Sequence, residues 1–225
     1  MNELKQTART TLERRANRGT YDRSTINAIL DDGLICHIGV VFDGSPRVLP
    51  TAYVRHEDCL YVHGATTNAT FKSMIAGADL CITVTLLDGL VLARSAMHHS
   101  LNYRSVMLYG KANEVVDGDL KQRVLDALIE RMLPGRLAEV RRASEAEIRA
   151  TTVIAIPILE GSAKVRSGPP VDAARDLERA TWAGVIPLRL QLDQPEPDPG
   201  LAPDIPMSNA VLRCRRRDGR KGWNA

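Results

Sequence analysis

No stretch of this sequence approaches the roughly 20 consecutive apolar residues that a membrane-spanning helix needs. The opening residues, MNELKQTARTTLERR, carry charges but no apolar core, so a secretory leader is not expected. Cysteine is sparse: Cys36, Cys59, Cys81 and Cys214 show neither CxxC nor a His-paired spacing, which excludes a zinc module. Three of them lie in alternating apolar segments, where a free thiol behaves as a small buried hydrophobe. GxGxxG, GxxxxGK[ST] and GxSxG are all missing, so dinucleotide-fold, P-loop and serine-hydrolase readings lack support. The net charge of +3 is too small to argue for nucleic acid. The one basic run, Arg213 to Lys221, reads as a solvated tail. The expectation is a cytoplasmic, reduced, metal-free protein with no nucleic-acid or membrane partner.

What is present fits one domain with extensions, because 225 residues suffice for a core and a cofactor cleft. Residues 2 to 17 can form a polar helix. Asp22 or Ser24 can cap a second helix over Thr25–Asp32, with Ile26, Ile29 and Leu30 at helical spacing and Gly33 as its stop. Strands and tight turns follow. Ile35–Phe42 runs into the turn Asp43-Gly44-Ser45-Pro46, Arg47–His56 is extended with Pro50 at an edge or bulge, and Cys59–His63 completes a meander. Asn68–Gly77 reads as a short helix; Leu80–Leu87 and Leu90–Ala96 read as a hairpin turning at Asp88-Gly89. Tyr103–Val116 is the longest strand candidate, and Asp119–Met132 is the clearest amphipathic helix. Ser144-Glu145-Ala146-Glu147 has the capping-box pattern, and Thr151–Leu159 is β-rich. Short turns between β-rich runs argue for an antiparallel, closed or partly open barrel with flanking helices, a mainly β, α+β fold.

Two segments carry chemistry. In Leu60–Lys72 a strand ends at His63-Gly64, and Thr66, Thr67, Asn68 and Thr70 precede a helix, with Lys72 beyond. Hydroxyls, an amide and helix N–H groups suit a phosphate, and equally suit an ordinary capped loop. In Ala93–Gly110 the pair His98-His99 cannot easily chelate one ion, because neighbouring side chains on an extended chain point to opposite faces. Arg104 and Ser105 could hold an anionic or carbonyl-bearing ligand.

The run DGLICHIGVVFDGSPRVLPTAYVRHEDCLYVHGATTNATFKSM and its continuation LCITVTLLDGLVLARSAMHHSLNYRSVMLYGKANEV resemble the FMN-binding split-barrel superfamily. They are similar to its pyridoxamine 5′-phosphate oxidase-related, flavin-nucleotide-binding subgroup, to which Nim-type nitroimidazole resistance proteins are related. The resemblance covers about residues 14 to 190. It implies an FMN-binding split β-barrel over 34–190, a helical extension at 1–33 and a Pro-rich, basic tail at 191–225. It also implies a homodimer with FMN sites at the interface, a small-molecule substrate and NAD(P)H as reductant. By analogy Val48, Pro50, Thr51 and Ala52 lie along the flavin ring. His63, Gly64, Asn68, Ala69, Thr70 and Lys72 form the phosphate side, and Arg104 and Ser105 are flavin or interface contacts. Trp182 reaches the ring, the interface or the core. His63 matches a histidine of the Nim cofactor cleft, and His63 or Tyr103 is the candidate proton donor.

One departure stands out. Many relatives carry Arg at the position of Ala69, and losing a charge-assisted phosphate contact costs about 1.5–3 kcal/mol, roughly ten- to hundredfold in affinity. The residues that hold the vitamin B6 substrate in true oxidases are not recognisable. The expected function is a flavin-dependent oxidoreductase acting on a small organic molecule. A non-catalytic flavin-binding or sensing protein is one alternative. A haem-binding split barrel, with His63, His98 or His99 as axial ligand, is the other.

Overall fold

A computed structural model describes residues 3–216. In chain order the elements are β1 (Gly19–Thr20), α1 (Arg23–Asp32), β2 (Ile35–Phe42), β3 (Ser45–Ala52), β4 (Val54–His56), β5 (Cys59–Ala65), α2 (Ala69–Ile75) and β6 (Leu80–Leu92). They continue with β7 (Ser100–Gly110), β8 (Asn113–Glu114), α3 (Gly118–Met132), α4 (Glu145–Arg149), β9 (Thr151–Pro157), β10 (Glu160–Arg166), β11 (Gly184–Pro187) and α5 (Asn209–Arg216). The chain is mostly antiparallel sheet with a few helices, as the split-barrel expectation requires. No helix among the described residues is long and apolar enough to cross a membrane.

Two compact units interleave along the chain. The first takes residues up to Gly33, Cys81–Tyr109 and Leu159–Leu190. In it β1, β10, β7 and β6 hydrogen-bond in that order, and β11 pairs with β6. Helix α1 begins where Asp22 accepts from the Thr25 amide at 2.8 Å, and it buries Ile26, Ile29 and Leu30. Gly33 ends it in an extended conformation (φ −78°), so the stop does not use the left-handed freedom of glycine. The second unit takes Leu34–Leu80, Gly110–Ile158 and the residues from Gln191 onward. It holds the β2–β3 hairpin and a four-stranded sheet ordered β4-β5-β9-β8. Val54, Tyr61, Val115, Val124, Leu128 and Val153 form its core, where the apolar stripe of α3 meets the sheet. Asp117 and Ser144 cap α3 and α4 through the amides of Leu120 and Glu147, the latter as a full capping box.

Several local expectations change. Of the stretch expected as a helix over 2 to 17, residues 3 to 17 do not form an α-helix: Leu4 N–H donates to the Tyr21 carbonyl at 2.9 Å, and Thr7, Thr10 and Thr11 bond locally instead. Threonine hydroxyls offer the backbone an alternative to the helix, and here that alternative wins. The meander breaks after β3, because β4 pairs in a different sheet. The Asp43-Gly44 turn holds, with φ of 48° and 72° as a two-residue hairpin of the mirror-image type demands. Asp88-Gly89 is not a turn. Strand β6 runs straight through it, and Gly89 instead admits β11, since an added Cβ would lie 3.0 Å from Val185 Cγ1. The long strand expected over Tyr103–Val116 divides into β7 and β8. After a stretch without regular structure the tail docks through α5, where the Ala210 amide donates to Glu139 at 2.8 Å. The basic run largely lies outside the described residues.

Close packing of β10 on β7 supplies a stability prediction. An added Cβ at Gly161 would meet Leu108 Cδ2 at 2.5 Å and the Met107 carbonyl at 2.8 Å, whereas one at Gly118 meets nothing within 4 Å. Gly161→Ala is expected to destabilise the chain by about 1–3 kcal/mol through overpacking. Gly118→Ala should be neutral or stabilising by up to about 1 kcal/mol. Urea unfolding of both variants checks the pair, and equal stabilities would contradict the register.

Candidate functional site

Alternation along the β2–β3 hairpin divides its residues by face. Cys36, Ile38 and Val40 are buried, while Ile35, His37 and Val41 point the other way. The register pairs Ile35 with Ala52, His37 with Pro50, Gly39 with Val48 and Val41 with Pro46. Val48, Pro50 and Ala52 therefore share one solvent-directed, largely apolar strip, where Ile35, Val41 and Val48 are 54%, 63% and 68% exposed. Thr51, opposite Cys36, is turned to the other face. Such a flat apolar strip suits either a planar ring or a second protein surface.

Strand β5 delivers His63 to the surface and leads directly to α2. Gly64 is needed because a Cβ there would lie 3.0 Å from the Phe71 ring, which α2 packs against the strand. Asn68 Oδ1 accepts from the amides of Thr70 and Phe71 at 3.0 and 3.2 Å. The donors expected to cradle a phosphate are thus engaged by the chain's own cap. Ala69 and Lys72 are exposed, and Lys72 has no partner among the described residues. The His63 ring has no hydrogen-bond partner among the described residues, and desolvation holds its pKa below the usual 6.5. A neutral imidazole with both nitrogens unengaged is the state a metal ligand requires.

In the first unit Arg104 is clasped on both sides. Its Nε and Nη2 donate to Asp88 at 3.0 and 2.9 Å, and Nη1 donates to Asp32. The hydrogen bonds to Asp88 chiefly, and those to Asp32 after them, raise its pKa well above the usual guanidinium range. Its forked donors, expected to hold a ligand, are spent on two carboxylates. Ser105 Oγ donates to the Lys164 carbonyl at 3.3 Å, and Tyr103 lies half-buried opposite Arg166. Trp182 is 66% exposed, with its ring lying over Gly184. His98 and His99 both rest on Ser95: one Nδ1 is 2.7 Å from its hydroxyl, the other 3.0 Å from its carbonyl. No group of three metal-ligating side chains exists among the described residues.

Sequence reasoning missed Asp32 and Asp88 as partners of Arg104, and it missed Arg166 altogether. The acidic pair had no local signal, since Asp32 ends a helix and Asp88 was assigned to a turn. Arg166 had none either, since it closes a β-run that already carries Glu160, Ser162 and Lys164.

Two outcomes are expected. Arg104→Gln should lower stability by about 1 kcal/mol in denaturant unfolding, since this bidentate pair is a third exposed and lies at the upper end for surface ion pairs. The flavin binding expected from the sequence should survive it; its loss with unchanged stability would return Arg104 to the ligand. For His63, the unfolded state binds a proton more readily than the folded one. Its contribution to stability is therefore complete above pH 6.5 and declines as pH falls from there toward the depressed folded pKa. An NMR titration of the His63 ring should give a midpoint below 6.5, and His63→Gln should remove that part of the acid slope.

The pattern that defines the pyridoxamine 5′-phosphate oxidase family matches residues 22–165. Among solved structures, the flavocytochrome Anf3 from Azotobacter vinelandii is 42% identical, with a TM-score of 0.86 over 92% of this chain and 96% of that one. The FAD and haem binding protein from Mycobacterium smegmatis is 34% identical, with a TM-score of 0.83 over 88% of this chain and 97% of that one. A 5-nitroimidazole antibiotic resistance protein from Bacteroides thetaiotaomicron, 23% identical over 65% of this chain and 86% of that one with a TM-score of 0.56, shares the fold. No curated protein matches the sequence. With a family match over more than half of its length and the fold shared along most of the rest, this chain belongs to the pyridoxamine 5′-phosphate oxidase family.

Proposed function

We propose that the chain is a flavin- and haem-binding redox protein, a flavocytochrome in the sense of its relatives, and that His63 is the axial ligand of the haem. The observation that carries this reading is the likeness, along nearly the whole chain, to two proteins named for flavin and haem together. Bound side by side, a flavin and a haem would join two-electron to one-electron transfer.

The chain's own residues are suited to both groups. Desolvation lowers the His63 pKa, and the ring has no hydrogen-bond partner among the described residues, so it could give a nitrogen lone pair to iron without a competing bond. The apolar strip of Val48, Pro50 and Ala52 offers a face for the flavin ring and, with Ile35 and Val41, for a second copy of the chain in a homodimer. FAD is favoured over the FMN expected from the sequence. Ala69 supplies no cation, and Asn68 already engages the α2 amides that a terminal phosphate would use. The M. smegmatis relative is, moreover, named for FAD. NAD(P)H is the reductant and a small organic molecule or oxygen the acceptor.

Haemin titration of the purified chain and three variants tests the ligand. Wild type, His98→Ala and His99→Ala are expected to give the same sharp Soret band. His63→Ala should give a weakened, shifted band and at least tenfold poorer haem retention on gel filtration. An unchanged spectrum in His63→Ala would overturn the assignment, and loss in His99→Ala alone would move the ligand to the Ser95 turn.

A further inference from the structure

Arg166 is a buried cation without a counter-ion among the described residues. It is 8% exposed, at the end of β10. Its Nη1 donates to Asn102 Oδ1 and, at 3.2 Å, to the Gly168 carbonyl; its Nη2 donates to the Pro169 carbonyl at 3.1 Å. All three acceptors are neutral. Nε is buried with no partner, and Nη2 keeps one proton unused. Nε is one donor of the side-on fork, the edge with which arginine takes a carboxylate or phosphate bidentately. Arg94, half-buried in the same unit, is by contrast matched to Asp172 at 2.8 Å.

The surroundings make the imbalance larger. Arg18, half-buried ahead of β1, is near enough for its charge to bear on Arg166, and it has no acidic partner among the described residues. Desolvation first, and then Arg18, push the Arg166 pKa below its ordinary value. Tyr103, opposite Arg166 in the β7–β10 ladder, brings a hydroxyl with no hydrogen-bond partner among the described residues. A buried charge without a partner costs several kcal/mol unless something compensates it. One carboxylate would neutralise one guanidinium. Two unmatched guanidinium groups and a phenol match a group carrying close to two negative charges, as a phosphate ester or pyrophosphate does near neutral pH.

We propose that Arg166, Arg18 and Tyr103 form a binding site for a phosphate-type oxyanion, a phosphoryl or pyrophosphoryl group of a bound ligand. The cluster stands on its own geometry, independent of the flavin and haem reading. The oxyanion can belong to a flavin nucleotide or to a separate phosphate-bearing ligand.

Thermal unfolding of the purified full chain with inorganic pyrophosphate, inorganic phosphate, or potassium chloride at matched ionic strength tests the site. Pyrophosphate, and phosphate less strongly, should raise Tm where chloride does not. Because Arg166 also ties down the Gly168–Pro169 turn and its variants can fail to fold, the deciding variants are Arg18→Gln and Tyr103→Phe. Arg18→Gln is expected to weaken pyrophosphate binding roughly ten- to hundredfold, the loss of one charge-assisted contact. Tyr103→Phe should weaken it less. No rise in Tm with either anion, or a rise equal in wild type and Arg18→Gln, overturns the proposal. FAD, FMN and riboflavin titrations then name the source. Weaker FAD binding in Arg18→Gln with riboflavin unchanged assigns the site to the nucleotide. Unchanged flavin binding alongside a lost pyrophosphate response assigns it to a separate ligand. If no flavin or haem binds but the pyrophosphate response holds, the oxyanion site stands and the flavocytochrome reading falls.

Discussion

The guanidinium of Arg104 joins three segments that are far apart in sequence: the end of α1 through Asp32, the middle of β6 through Asp88, and β7, on which it sits. Arginine does this well because one planar group offers donors on two edges at fixed angles. With Arg104 so engaged, the strands of the first unit are held in a register that also brings Tyr103 opposite Arg166 and Ser105 opposite Lys164. The clasp makes Arg104 a positioning residue, and it leaves ligand chemistry to side chains that the fold has not already paired.

Those unpaired side chains are few. In the second unit His63, on the exposed face of β5, has a pKa lowered by desolvation and no hydrogen-bond partner among the described residues, next to a helix start whose own donors are engaged by Asn68. In the first unit Arg166 is buried without a carboxylate. Folded proteins ordinarily pair such groups, so those left unmatched mark where an absent partner belongs. An imidazole held toward its neutral form suits a metal, and unmatched guanidinium groups suit an oxyanion. Both fit a protein whose relatives are named for haem and flavin.

Much of the fold was legible in the sequence because its signals are local. Asp22, Asn68 and Ser144 announce helix starts through short-range capping chemistry, and Asp43-Gly44 announces a hairpin through its backbone preference. What failed was decided by distant partners. Gly89 is a glycine because β11 presses on β6, and the Asp-Gly pair alone cannot tell that from a turn. The first residues lose their helix to contacts with Tyr21 and Glu160, far along the chain. At the site, the segment around His63 and the strip of β3 could be picked out through family resemblance. The employment of Arg104 and the burial of an unmatched charge at Arg166 could not, because both depend on which acids the fold brings near.

The central claim is that one chain carries both a flavin and a haem. The most direct measurement is the absorption spectrum of the purified wild-type chain, recorded before and after adding FAD and haemin and removing the excess by gel filtration. The account predicts that flavin bands and a Soret band co-elute with the protein, each near one equivalent per chain. A colourless protein that retains neither would contradict it.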